Sequence, residues 1–206
     1  KKLGLSDTTS VFGSFGFATK AKRIIPILDA LKKYSDNVKS DFIYYIVGEP
    51  QKDLNLVEEV RLRSLQDKIH ITGYTSLEDF KIIMGACDFC FNLRYPTQGE
   101  SSASLHRMFG MGKPAVVTDV GTFSDYPDDV VLKVRYDDHE VEDIYCAISL
   151  LMKDHRELKR RSQAALEYAK TYCNLEKNAK QYAEFFQQVY DHTWQPEYED
   201  IVIGRL

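Results

Sequence analysis

The sequence has no long hydrophobic run. Among its 206 residues no apolar stretch approaches the roughly 20 needed to cross a bilayer, so no membrane-spanning helix is expected. The opening segment "KKLGLSDTTS" lacks the apolar core of a secretory signal, and it starts abruptly, as a piece of a longer chain would. A basic excess is also missing. Lys and Arg number 27 against 31 Asp and Glu, a formal net charge of −4, which gives no general electrostatic pull toward nucleic acid or an anionic membrane. The four cysteines, Cys87, Cys90, Cys146 and Cys173, show no disulfide-type spacing and fit a reducing, cytoplasmic home. Cys87 and Cys90 form a C-x-x-C, but "CDFCFNL" reads as a buried strand in which residues i and i+3 point to opposite faces. No second Cys/His pair lies at ligand spacing. The expectation is buried structural thiols and no metal. Internal repeats, low-complexity runs and linkers are absent too, so a single domain is expected, with its core at about 11–190.

Strand-like and helix-like stretches alternate. "VFGSFGF" (11–17), "FIYYIVG" (42–48), "KIHITGY" (68–74), "CDFCFNL" (87–93), 115–119 and "VVLKV" (130–134) read as strands. Helical spacing occupies 22–34, 53–65, 76–86 and a stretch from about Ser101. Ser76 with Asp79 forms a near capping box, and Pro26 is tolerable because it falls in the first turns. The alternation predicts an α/β fold, a parallel sheet of about six strands with helices on both faces. Further stripes, Val141 to Leu151 and Tyr182 to Tyr190, repeat at helical spacing and are read as core packing. The tail 194–206 is assigned no element.

Ligands of such sheets bind beyond the carboxyl ends of the strands, and three ends carry chemistry. In "GSFGFATKAKR" (13–23), Gly13 and Gly16 let backbone approach a ligand, while Lys20, Lys22 and Arg23 bring positive charge to a helix start. Cations sit poorly against that end of the helix dipole, and an anionic ligand would offset the mismatch; a solvated basic turn is the alternative. The stretch is neither a Walker A sequence nor a dinucleotide fingerprint. In "QGESSASLHRMFGMGKP" (98–114), Gly99 makes a turn, and the small residues Ser101, Ser102, Ala103 and Ser104 leave helix N–H groups open to an anion. Glu100 repels phosphate but accepts hydrogen bonds from hydroxyls, which together suggests a phosphate-bearing sugar; the alternative is that Glu100 caps the helix. The third end, "TGYTS" (72–76), offers Gly73 and Tyr74 as a wall against a base, or is a plain turn.

Taken in order, "IVGEP", "HITGYTSLEDFKIIMGACDFCFNLRYPTQGES", "GMGKPAVVTDVGTFSDYPD" and the Tyr-rich final helix resemble the C-terminal, donor-binding domain of a GT-B glycosyltransferase of the group 1 (family 4) type. The resemblance runs from about Val11 to about Tyr190. It implies one of the two Rossmann-like halves of a retaining hexosyltransferase that uses a nucleotide-diphosphate sugar and needs no divalent metal. Lys22 sits where the family places a lysine on the donor diphosphate; the arginine usual five residues earlier is Phe17 here. Glu100 falls at the first glutamate of the family's E-x7-E motif, and Arg107 replaces the second, so its role stays open. Gly121 and Asp125 stand near the Gly-Gly-x-x-Glu position, with Thr122 in place of the second glycine. The resemblance implies Glu100 and Lys22 as catalytic residues. Gly16, Phe17, Arg23, Gly73, Tyr74, Gly99, Ser101, Ser102, Ala103, Ser104 and Arg107 complete the expected donor site. The acceptor, a glycan, lipid or other hydroxyl, would be bound by an N-terminal domain absent from this chain, and the full-length protein would be cytoplasmic, either free or peripheral at the membrane. Two other readings remain: a nucleotide-sugar epimerase of related fold, and a non-catalytic nucleotide-sugar binding module.

Overall fold

A computed structural model of the chain describes residues 4, 6, 8–38 and 41–193. The tail 194–206 lies outside the described residues. Six strands, β1 (Ser10–Phe15), β2 (Phe42–Val47), β3 (Ile69–Gly73), β4 (Phe89–Asn92), β5 (Ala115–Thr118) and β6 (Val131–Val134), form one sheet in the order β3-β2-β1-β4-β5-β6. Every pairing is parallel. Among the described residues seven helices accompany them: α1 (Ile24–Asn37), α2 (Leu56–Leu62), α3 (Leu77–Ala86), α4 (Ala103–Gly110), α5 (Glu140–Lys153), α6 (His155–Tyr172) and α7 (Leu175–Tyr190).

Alternation along the strands divides the core in two. Phe12, Tyr44, Phe89 and Phe91 face α1 and α5, where Ile27, Leu28, Leu31, Ile144 and Ile148 are buried. Val11, Phe15, Tyr45 and Val117 face α3, α4 and α6 through Met84, Leu105, Phe109 and Ala165. Helices therefore cover both faces, which is why the strands read as continuous apolar runs. The strand order matters for function. The chain winds outward from β1 through β2 to β3, then returns to place β4 on the other side of β1. The crevice outside the carboxyl ends of β1 and β4 is the point where such sheets take ligands.

Several expectations change. Gly13 is a packing glycine: a Cβ there would lie 2.6 Å from the Phe15 ring and 3.0 Å from Cys87 Sγ, so it offers no approach to a ligand. Cys87 closes α3 and lies outside β4, and it shares one buried cluster with Cys90. Opposite-face geometry therefore does not apply, although both thiols are free and buried, and burial together with Cys90 pushes the Cys87 thiol well above its usual range. The stripe on α5 is core, but that on α7 is not. Tyr182, Phe185, Phe186, Val189 and Tyr190 are all exposed, a face of helical period that belongs to neither buried cluster. Between those stripes α6 is held by Ala165, Ala169 and the buried Arg161, a narrow face that hydrophobic periodicity does not single out.

Candidate functional site

Gly16 begins the site. It follows β1 with φ +87°, a conformation that costs glycine little, and it turns the chain into a short 3-10 turn, Lys20–Lys22. That turn sends Lys22 back over the strand end, where its ammonium donates to the carbonyl of Phe15. A Cβ on Gly16 would lie 2.8 Å from Lys22 Nζ. Burial, reinforced by the nearby charge of Arg94, lowers the lysine to about 8. The neighbouring cations are committed elsewhere. Lys20 Nζ pairs with Asp53 at 2.7 Å. Arg23, left-handed at φ 55°, forms a forked pair with the buried Glu140 of α5, and so anchors the turn instead of presenting its own charge.

The second wall is the connection from β4 to α4. Arg94 leaves β4 with its N–H donating 2.9 Å to Thr118 Oγ1 at the end of β5. The next N–H, that of Tyr95, donates 2.8 Å to the carbonyl of Ala21, which ties this connection to the turn bearing Lys22. Arg94 Nε lies 3.0 Å from Glu100 Oε1, yet this buried nitrogen makes no hydrogen bond. Glu100 Oε2 accepts from the Gln98 N–H at 2.8 Å and from Thr97 Oγ1 at 2.9 Å. The Gln98 N–H is the main reason the carboxyl sits below its usual range, with Thr97 and Arg94 adding to it. Gly99, at φ +79°, makes the turn between them.

Helix α4 starts two residues later than expected, and its cap is Ser102, which accepts from the Leu105 N–H at 3.3 Å. Glu100 is therefore not the cap. The N–H groups of Ser101, Ser102, Ala103 and Ser104 have no acceptor among the described residues. Ser104 Oγ accepts from Asn92 Nδ2 at 3.0 Å, and Asn92 Oδ1 is buried without a partner. Arg107 stands one turn into α4 on its exposed side, in line with Ala103, and forms no ion pair among the described residues.

On the other side of Gly16 lies a cavity of about 260 Å3, lined by Gly16, Phe17, Gly48, Glu49, Tyr74 and Phe80 together with Val47 and Thr75. Phe17 and Tyr74 are 54% and 88% exposed and give the cavity an aromatic rim. Gly48 is bridged to Gly73, which keeps the third strand end beside the other two. Of the expected residues, Gly16, Phe17 and Tyr74 line the slot, with Gly73 bridged to Gly48 beside it, while Lys22, over Gly16, is linked through Arg94 to Glu100 in the loop that leads into α4. Reading the sequence alone missed Arg94, Asn92 and Glu49. The signal for Arg94 was its position, first after Leu93 at the close of a central apolar strand. Among the described residues no group of three or more His, Cys, Asp or Glu side chains gathers as a metal site, and no helix is long and apolar enough to cross a membrane.

Solved structures share this fold. HepE of Anabaena, in complex with UDP, superposes with a TM-score of 0.77 at 17% identity over 88% of this chain and 49% of its own. Sucrose-phosphate synthase of Thermosynechococcus elongatus gives 0.78 at 18% identity, over 93% of this chain and 48% of its own. The C-terminal domain of a glycosyl transferase group 1 family protein (LpcC) of Francisella tularensis gives 0.69 at 14% identity over 81% of this chain and 87% of that domain. The chain thus spans about half the length of the first two. No curated protein matches by sequence. The family described as glycosyl transferases group 1 matches residues 1–168, and this chain belongs to that family.

Proposed function

We propose that the chain is the donor-binding half of a retaining glycosyltransferase of family 4 type that uses a nucleotide-diphosphate sugar. The base enters the slot rimmed by Phe17 and Tyr74, the diphosphate meets Lys22 and the free N–H groups at the start of α4, and Glu100 receives the sugar hydroxyls. The observation that carries this reading is the Lys22 ammonium seated on Gly16, which lines the aromatic slot, with the turn bearing Lys22 tied by the Tyr95 to Ala21 hydrogen bond to the loop that leads into α4. In the reaction, the bond from the anomeric carbon to the diphosphate breaks and a bond to the acceptor oxygen forms. The acceptor proton leaves with the phosphate or solvent. The departing diphosphate gains negative charge, and a fixed cation with aligned N–H groups stabilises it without reorganising. We read the donor sugar as a hexose and the reaction as free of divalent metal. The acceptor, glycan or lipid, belongs to a second, N-terminal domain, and the isolated half turns over little because acceptor positioning is missing. A cytoplasmic protein, peripheral at a membrane, fits this role.

Support for the nucleotide comes from the neighbours: HepE is described in complex with UDP and with UDP-glucose, and WaaG as involved in lipopolysaccharide biosynthesis. Calorimetric titration of this chain with UDP-, GDP- and ADP-sugars tests the reading. One of the three should bind, with UDP-sugars the first choice; binding by none of them overturns it. Incubating the full-length protein with that donor and candidate acceptors then separates transfer (glycoside and free nucleotide) from epimerisation (an altered sugar) and from a binding module (no product).

A further inference from the structure

The strand ends that flank the reversal of strand order each deliver a cation. Lys22 arrives from the turn after β1, and Arg94 from the end of β4. The Tyr95 to Ala21 hydrogen bond, 2.8 Å long, joins the residue after Arg94 to the residue before Lys22, so the two side chains are held as neighbours. Their environment leaves them short of negative charge. Among the described residues Lys22 has no ion-pair partner; its ammonium rests on the Phe15 carbonyl. Arg94 is 19% exposed and faces Glu100, but the pair lacks hydrogen-bond alignment at Nε, and one oxygen of Glu100 is already taken by Gln98 and Thr97. One carboxylate thus answers two half-buried cations.

Two like charges held together out of water repel, and an anion placed between them relieves both. A single phosphate satisfies one ammonium. A guanidinium beside it adds a planar fork that matches two further phosphate oxygens, so the pair suits a chain of two phosphates. We propose that Arg94 is the second cation of the site and binds the diphosphate together with Lys22. The name of the ligand, a nucleoside diphosphate, rests on the function proposed above; the two-cation site for a pyrophosphate group stands on the geometry. Because the same chemistry occurs in free pyrophosphate and in nucleotides, both are used as probes.

The test is to titrate the full chain, its Arg94→Gln, Arg94→Lys and Lys22→Met variants, with inorganic pyrophosphate, inorganic phosphate and UDP, checking the fold of each by circular dichroism. The wild type should prefer pyrophosphate to phosphate. Arg94→Gln should weaken pyrophosphate and UDP about tenfold or more, the scale of a lost charged hydrogen bond, and Arg94→Lys should recover part of that loss. If Arg94→Gln does not fold, Arg94→Lys alone decides, since the fork is lost and binding should still weaken severalfold. UDP binding that depends on Lys22 and is unchanged in the folded Arg94 variants overturns the role of Arg94 and leaves the donor reading standing. Pyrophosphate binding that depends on both residues, with UDP and the other nucleotides no tighter, supports the site and sinks the donor reading. No binding of either probe by the wild type overturns both.

Discussion

Lys22 closes over Gly16: a Cβ built on the glycine would lie 2.8 Å from the ammonium nitrogen. The glycine also sits at φ +87°, so alanine there suffers backbone strain and displaces the lysine. The displaced atom is the end of a flexible chain, and the fold should survive. Gly16→Ala is expected to lose about 1–2 kcal/mol of stability and most of its affinity for pyrophosphate and UDP. Gly48→Ala is the contrast. At φ +139° its Cβ would meet the Gly16 carbonyl oxygen at 2.5 Å, and two backbones cannot yield as a side chain does, so it should be far less stable. Denaturant melts with titrations check both. Normal UDP binding by Gly16→Ala would separate Lys22 from the ligand site.

A pH dependence follows from the lysine. Burial and Arg94 lower it to about 8, while in the unfolded chain it titrates near its ordinary 10.5. An anion binds the charged form, so affinity should fall as pH rises through about 8, and binding at pH 8–9 should take up a proton. Calorimetry in buffers of different ionisation enthalpy measures that uptake. Pyrophosphate affinity flat from pH 7 to 9.5, with no proton uptake, counts against the assignment.

The same shift makes Lys22 a burden on the empty fold. Its folded value is depressed, so the stability it withholds is withheld in full below about 8 and returned as pH climbs toward 10.5. Lys22→Met should therefore raise the stability of the unliganded chain at pH 7 by about 1–3 kcal/mol, as one pKa unit corresponds to about 1.4 kcal/mol. That equals a rise of about 2–4 °C in Tm per kcal/mol for a chain of this size. The gain should shrink between pH 7 and pH 10, and phosphate binding should be lost with it. A Lys22→Met protein that melts lower than wild type would mean the lysine is a structural tie.

The contrast between Lys22 and its neighbours shows what could be read from sequence. The six strands were legible because a sheet covered on both faces demands unbroken apolar runs, and Ser76 announced α3 through its cap. The order of the strands was not legible, and with it went Arg94: only once β4 lies beside β1 does an arginine after an apolar strand become a neighbour of Lys22. Arg23 read as a ligand cation because its partner, Glu140, is 117 positions away. Ser102 and Glu100 both fit a helix start by composition, and only the hydrogen bonds tell the cap from its neighbour. The α7 stripe has the period of a buried face, and periodicity reports amphipathicity without naming what covers it.

That distinction between cap and neighbour supplies the last prediction. Ser102 holds the Leu105 N–H, so Ser102→Ala should cost about 0.5–2 kcal/mol in stability. Glu100 instead accepts from Gln98 and Thr97 and leaves one oxygen toward Arg94. Glu100→Gln keeps an oxygen acceptor for those loop donors and removes the negative charge, so the fold should change little. Arg94 then loses its carboxylate neighbour, and the repulsion between Glu100 and an incoming diphosphate disappears. Binding of UDP should stay level or tighten. Transfer by the full-length protein should nevertheless fall sharply, because an amide accepts hydrogen bonds from sugar hydroxyls more weakly than a carboxylate does. Thermal melts, UDP titration and single-turnover transfer on the two variants provide the check. Full transfer in Glu100→Gln removes the carboxylate from the sugar site, and a marked loss of UDP affinity would mean that Glu100 acts by holding Arg94 in place.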